Sequence, residues 1–191
     1  MMLLRQIGVA LLTALVFGMG LTWVALENGR LFGAVSVGPW RAWTNVGLPH
    51  PDPYTRAYIA ETGALNLGSS EGLQFIATTD SANRTLDRGC RYRVTGLTPP
   101  ARFWTLMPAA ALDAGPVTPK GAPTHLVSTG LARDAKGRIN IALSRTLAGG
   151  DWLELEGPGA FTLVLTLYDP SSFSTLGSDE AELPRITREA C

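Results

Sequence analysis

Residues 161–169, FTLVLTLYD, decide how the chain is read. Phe161, Leu163, Leu165 and Leu167 occupy alternate positions, and in an extended strand alternate side chains share one face. An amphipathic helix would instead repeat its apolar residues three and four apart. The same period of two recurs upstream. Leu73, Phe75, Ala77 and Thr79 alternate with Gln74, Ile76 and Thr78, while Cys90, Tyr92 and Val94 alternate with Arg91 and Arg93. Ile139, Ile141 and Leu143 form another inward set, and ARFWTLM at 101–107 is apolar on both faces, as a central strand would be. The polar stretch DSANRTLD is expected to join the 73–79 and 90–94 strands as a hairpin.

Around these strands the punctuation is Gly and Pro. A short strand is expected near Ala34–Val37. One soluble helix is expected where Asp52 caps, Pro53 takes the first helical position and Gly63 stops YTRAYIAET, with Tyr54 and Tyr58 on one face. The stretch 108–123, PAAALDAGPVTPKGAP, lacks periodicity and reads as a spacer. Many short strands, one brief helix and few connections long enough for a crossover helix predict a mainly β chain. The expected fold is an antiparallel jelly-roll-like β-sandwich with one short α-helix, preceded by an N-terminal transmembrane helix.

That helix reads IGVALLTALVFGMGLTWVAL from Ile7 to Leu26, twenty residues without a charge. At about 1.5 Å per residue it spans a hydrocarbon core of about 30 Å. Arg5 precedes it, whereas Glu27 and Arg30 offset each other after it, a bias that keeps the N-terminus cytoplasmic. Trp23 falls where an indole lies at the headgroups. Cleavage as a signal peptide near Gly18 and Gly20 is the alternative, and either way the rest of the chain is exported. The expected division is 1–6 cytoplasmic, 7–26 signal-anchor, 27–38 linker and 39–191 domain, within a length of 191 residues that suits one core. The expected location is the inner membrane, single pass, with the C-terminal domain in the periplasm. Ala10, Ala14, Gly18 and Thr22 recur every fourth residue and offer a small-residue face for self-association.

The chemistry is sparse. Sixteen Lys and Arg balance sixteen Asp and Glu, which argues against nucleic acid. In an oxidising compartment the two cysteines, Cys90 and Cys191, are expected to pair. His50 and His125 have no third clustered ligand, so neither metal nor cofactor is expected. No G-x-S-x-G elbow or phosphate loop is present. Glu71, Asp80, Asp87 and Asp169 sit at strand ends, where two carboxylates could serve glycoside hydrolysis, although Asp is ordinary at turns. Arg91 and Arg93 share a solvated strand face, and Asn83-Arg84-Thr85 matches a glycosylation acceptor in form only. Trp40 and Trp43, three apart, fall on opposite faces of a strand. Packing against the helix of Tyr54 and Tyr58, with Arg41 pairing locally, is favoured over a ligand shelf.

Several phrases in order, VGPWRAW, DPYTRAYIAETGALNLGSSEGLQF, ARFWTL, DWLELEGPGAFTLVLTLYDP and LPRITREAC, resemble the bacterial envelope family termed domain of unknown function 1214. The likeness runs from about Gly33 to the C-terminus. It implies a jelly-roll-like sandwich, which in other members forms the C-terminal half of larger exported proteins, and it carries no activity or catalytic residue. This chain departs from the pattern at MPAAALD, which bears on the length of the preceding strand, and at Asp151. The expectation is a noncatalytic binding or structural module of the cell envelope. The alternatives are an envelope glycan or ester hydrolase using loop carboxylates and an accessory subunit of a membrane protein complex.

Overall fold

Every hydroxyl in an apolar helix must find a partner, because a bilayer supplies none. In α1 (Met2–Asn28) the Thr13 and Thr22 hydroxyls donate to the carbonyls of Val9 and Gly18, each at 2.7 Å. Residues 2–24 of this helix are long and apolar enough to cross a membrane. The computed structural model describes residues 2–28, 34–62, 67, 71–110, 115–170 and 182–191.

After α1 come β1 (Ala34–Val37), β2 (Trp40–Trp43), α2 (Pro53–Thr62), β3 (Gly72–Ala77), β4 (Arg91–Gly96) and β5 (Ala101–Ala109). They are followed by β6 (Leu126–Val127), a single 3-10 turn (Ser128–Gly130), β7 (Ile139–Ser144), β8 (Asp151–Glu154), β9 (Thr162–Pro170) and β10 (Arg185–Ala190). The strands form a six-stranded sheet, β1-β2-β3-β9-β5-β6, and a four-stranded sheet, β10-β4-β7-β8. The chain is therefore mainly β, and among the described residues it has two sheets, one short α-helix besides the apolar one, and no closed barrel. All strand pairs are antiparallel except β7 and β8, which run parallel.

The segment FTLVLTL lies in the middle of the larger sheet. Leu167 stands between Leu73 and Trp104, and Leu165 between Phe75 and Leu106, so each apolar residue of β9 is flanked by one from β3 and one from β5. All six are buried. Opposite them the smaller sheet contributes Tyr92, Val94, Ile141, Leu143, Leu153 and Ile186, which join the same apolar core. Phe161 meets Tyr92 edge-on at 5.7 Å, an arrangement that suits the ring quadrupoles. At Gly72 the backbone passes so close to β9 that a Cβ would lie 2.5 Å from the Leu167 carbonyl oxygen, so only glycine fits.

Three expectations need correction. First, β3 and β4 are not a hairpin: β3 pairs with β2 and β9, and β4 with β10 and β7, in the other sheet. The DSANRTLD stretch is the corner between sheets. It is not simply polar, because Leu86 is fully buried, its amide on the Thr78 carbonyl and its own carbonyl accepting from Phe161. Second, β5 is not covered on both faces: Trp104 and Leu106 are buried, but Phe103 is 36% exposed, stacked on Tyr168 at 4.4 Å. Third, the spacer is shorter than expected. β5 continues through Met107, Pro108 and Ala109, and Val117 is buried, its amide on the Pro108 carbonyl and its carbonyl accepting from Glu156.

β2 places Trp40 and Trp43 on opposite faces, as their spacing requires. Trp40 is fully buried between the sheets and its indole N–H donates to the Pro184 carbonyl at 2.7 Å. A bond across 144 residues thereby joins the beginning of the larger sheet to the entrance of β10. Trp43 is half-buried and lines a small cleft with Val46, Leu67 and Gln74. Trp40→Phe keeps most of the apolar volume but strands a buried carbonyl, so a stability loss of about 1–3 kcal/mol is expected. Urea denaturation checks this, and an unchanged midpoint would show that the bond contributes nothing.

α2 begins as its sequence requires. The Asp52 carboxylate accepts from the Thr55 amide at 3.0 Å and from the Thr55 hydroxyl, and the Asp52 carbonyl accepts from the Arg56 amide. The side chains of Tyr54 and Tyr58, and Gly63, lie outside the described residues.

Candidate ligand groove

Two corners of the sandwich are built by one five-residue device. In Asp80-Ser-Ala-Asn-Arg84 the Asp80 Oδ1 accepts from the amides of Ala82 and Arg84, both at 2.9 Å, and Oδ2 accepts from Arg84 Nε at 2.8 Å. In Asp134-Ala-Lys-Gly-Arg138 the Asp134 Oδ1 accepts from the amides of Lys136 and Arg138, and Oδ2 from Arg138 Nε at 2.8 Å. The backbone closes both turns identically, through the amide of the first residue to the carbonyl of the fifth. The fourth residue has positive φ in each, 60° at Asn83 and 76° at Gly137, which explains the residue types. Arg84 pairs with a carboxylate that is 1% exposed and Arg138 with one that is 41% exposed.

The Asp80 turn is structural. Arg188 Nε lies 3.8 Å from Asp80 Oδ2, its Nη2 donates to the Thr85 carbonyl, and its guanidinium stands 5.4 Å over the Tyr92 ring. Burial opposes ionisation of Asp80 and is the largest single influence. Hydrogen bonds from the Arg84 and Ala82 amides and the Arg84 guanidinium together outweigh it, holding the carboxyl below its ordinary range. Next to it, the Ser81 amide donates to the Ile186 carbonyl and the Ser81 hydroxyl accepts from the Ile186 amide. These bonds occupy the outer edge of β10, which would otherwise offer itself to another chain.

The Asp134 turn is instead part of a groove of about 920 Å³ at one end of the sandwich. The ends of β1, β4 and the starts of β7, β8 and β10 converge there, so loops from both sheets shape it. Its apolar wall includes Val37, Leu97, Ile139 and Leu183, of which Leu97 is 40% exposed. Arg133, Arg138 and Arg185 supply the positive charge and Asp134, Asp151 and Glu182 the negative. Hydrogen bonds from the Arg138 amide and guanidinium, and from the Lys136 amide, hold the Asp134 carboxyl below its ordinary range. Asp151 Oδ2 accepts from the Ala132 amide at 3.0 Å and ties down the start of the same loop.

Few of the side chains singled out from sequence line this groove. Asp80 lies beyond one end of β3, whereas Glu71 and Asp169 are adjacent at the other, where the Asp169 amide donates to the Glu71 carbonyl at 3.1 Å. Glu71 and Asp169 are exposed. Asp87 caps its own turn by accepting from the Gly89 amide. Arg41 is half-buried opposite Ile76. Arg93 pairs with Glu189 at 2.8 Å across the smaller sheet, which raises its pKa and lowers that of Glu189. His125 is exposed and contacts Thr124, and among the described residues no group of three metal-ligating side chains occurs. Cys90 and Cys191 are joined, with an S–S distance of 2.08 Å and a sequence separation of 101. The groove residues come from distant segments and carry no motif; the repeated Asp-x-x-Asn/Gly-Arg spacing was the one signal available.

The fold and groove define a two-sheet β domain with an open mixed-polarity cleft, behind an apolar N-terminal helix. Residues 71–172 match the family described as "Protein of unknown function (DUF1214)". That is more than half of the chain, and the chain belongs to this family. No curated protein matches it. Among solved structures, the VPA0106 protein from Vibrio parahaemolyticus is similar with a TM-score of 0.57 and 16% identity, over 74% of this chain and 36% of that one. An uncharacterized protein from Burkholderia cenocepacia aligns with a TM-score of 0.45 and 20% identity, over 64% of this chain and 30% of that one. This chain thus spans about a third of the length of the proteins it resembles, and the first likeness bears on fold alone.

Proposed function

We propose that the protein is a membrane-anchored, noncatalytic binding module of the bacterial cell envelope, with its domain in the periplasm. The observation that carries the binding half is the groove, which combines an apolar wall with oriented charged side chains, the usual composition of a ligand site. The location rests on a helix able to cross a membrane together with a disulfide, a bond that persists in oxidising compartments. From Asn28 to Val37 the chain reaches at most about 30 Å, so the groove stays near the bilayer surface.

The hydrolase alternative is weaker because Asp80 is engaged by Arg84 and Arg188, far along β3 from Glu71 and Asp169. An accessory-subunit role, with self-association through Ala10, Ala14 and Gly18, leaves the groove without a part to play. Affinity capture of the intact protein from membranes, alongside a variant lacking residues 1–30, tests the reading. The intact protein should retain a reproducible envelope component, and loss of that component with the anchor would favour the subunit role. If neither form retains protein or cell-wall material, the binding module is wrong.

A further inference from the structure

The geometry points to a specific ligand class for the groove: an oxyanion, carboxylate or phosphate, carried on a short apolar group. This rests on the groove being the binding site. Of the carboxylates there, Asp134 already accepts from the Lys136 amide, the Arg138 amide and Arg138 Nε, and Asp151 accepts from the Ala132 amide. Both act as braces of the 131–138 loop. The guanidinium groups are far from saturated. Arg133 gives one N–H to the Gly137 carbonyl at 3.1 Å and Arg138 gives its Nε–H to Asp134. No hydrogen bond or ion pair joins the Arg185 side chain to another side chain among the described residues. Each guanidinium has five N–H donors in a planar fork, so most face solvent and can be turned over to an anion.

Two features turn these donors into a site. Arg133 and Arg138 are each held by their own loop, so little side-chain freedom is lost when a ligand takes their remaining N–H groups. Beside them Val37, Leu97 and Leu183 form an apolar wall that is incompletely covered, which favours a ligand with a hydrocarbon portion over a bare ion. Glu182, also exposed at the rim, opposes the anion and provides a test of sign. Both a lipid headgroup and a soluble metabolite offer this chemistry.

The test is calorimetric titration of the full chain in phosphatidylcholine nanodiscs with hexanoate, using hexanol and inorganic phosphate as controls. Hexanoate should bind at one site per chain, hexanol should not, and phosphate should bind more weakly. R133Q and R185Q, both at exposed positions, should each weaken hexanoate about ten-fold, the value of one charge-assisted hydrogen bond, whereas E182Q should tighten it. Unchanged thermal unfolding of these variants shows that the fold is intact. In nanodiscs containing phosphatidylglycerol, loss of hexanoate binding assigns the headgroup as the natural source, and retention assigns a soluble ligand. Equal affinity for hexanoate and hexanol, or no effect of either arginine substitution, overturns the proposal. If hexanoate fails while affinity capture still retains an envelope component, the ligand class is wrong and the binding module stands.

Discussion

Replacing Cys90 and Cys191 together by serine should lower the stability of the sandwich by about 4–5 kcal/mol, the chain-entropy value for a closed loop of about 100 residues. For a domain of this size that corresponds to a fall in Tm of roughly 10–20 °C. The bond matters through its position. It attaches the last residue of the chain to the residue preceding β4, and so fastens β10, an edge strand that donates Ile186 to the core. Hydrogen exchange should show protection lost first at the β10 and β4 amides. Thermal unfolding of the full chain in detergent, oxidised wild type against the double variant, measures the effect. A difference below about 1 kcal/mol would mean that side-chain packing alone holds the strand. The bond itself is checked by mass measurement of the protein isolated from cells, with and without reductant, where two free thiols would dispose of it.

The twin turns supply the second large effect and its own control. Asp80→Ala and Asp134→Ala delete the same set of hydrogen bonds from the same backbone geometry, but at 1% and 41% exposure respectively. Removing Asp80 leaves Arg188, 19% exposed and already short of a partner at Nε, without its counter-charge. The expected cost is about 3 kcal/mol, at the lower end for a broken buried pair because Arg84 is half exposed and regains water. Asp134→Ala should barely move the unfolding midpoint. Because the folded pKa of Asp80 is depressed, its contribution is complete above the ordinary Asp value near pH 4 and disappears as the pH falls further, through the folded value. Asp80→Asn should therefore flatten the acid side of the stability profile. Equal losses from the two alanine variants would show that burial is irrelevant to the turn.

Period two identified which residues face inward in β3, β4, β7 and β9, because the pleat alone determines it. It carries no information on which strand lies beside which, so β3 and β4 were expected to pair when they belong to different sheets. One local pairing is legible in the sequence itself. Gly38-Pro39 is the two-residue loop between β1 and β2, with Val37 opposite Trp40 and a φ of 57° at Gly38, the positive value that such loops need at their first position. Leu86 escaped because a lone apolar residue in a polar corner has no period. The groove escaped for a different reason: Val37, Leu97, Arg133 and Arg185 come from four separate junctions, and only the closed sandwich brings them together. Asp80 reads from sequence as a turn residue with a hydrolytic role as the lesser alternative. Its burial and its two arginines, features of tertiary structure, make it a cornerstone of the fold.

The bond from Trp40 to Pro184 and the pairing of β4 with β10 also govern the order in which the molecule comes into being. Contacts this distant in sequence form late, since the entropy of closing the loop precedes the reward. A chain delivered from its N-terminus completes β4 long before its outer neighbour exists, and Cys90 waits 101 residues for its partner. The outer edge of β4 and the indole N–H of Trp40 lack their partners until residues 184–190 are made. Completion of the smaller sheet therefore waits for residues 185–190, whichever elements form before them.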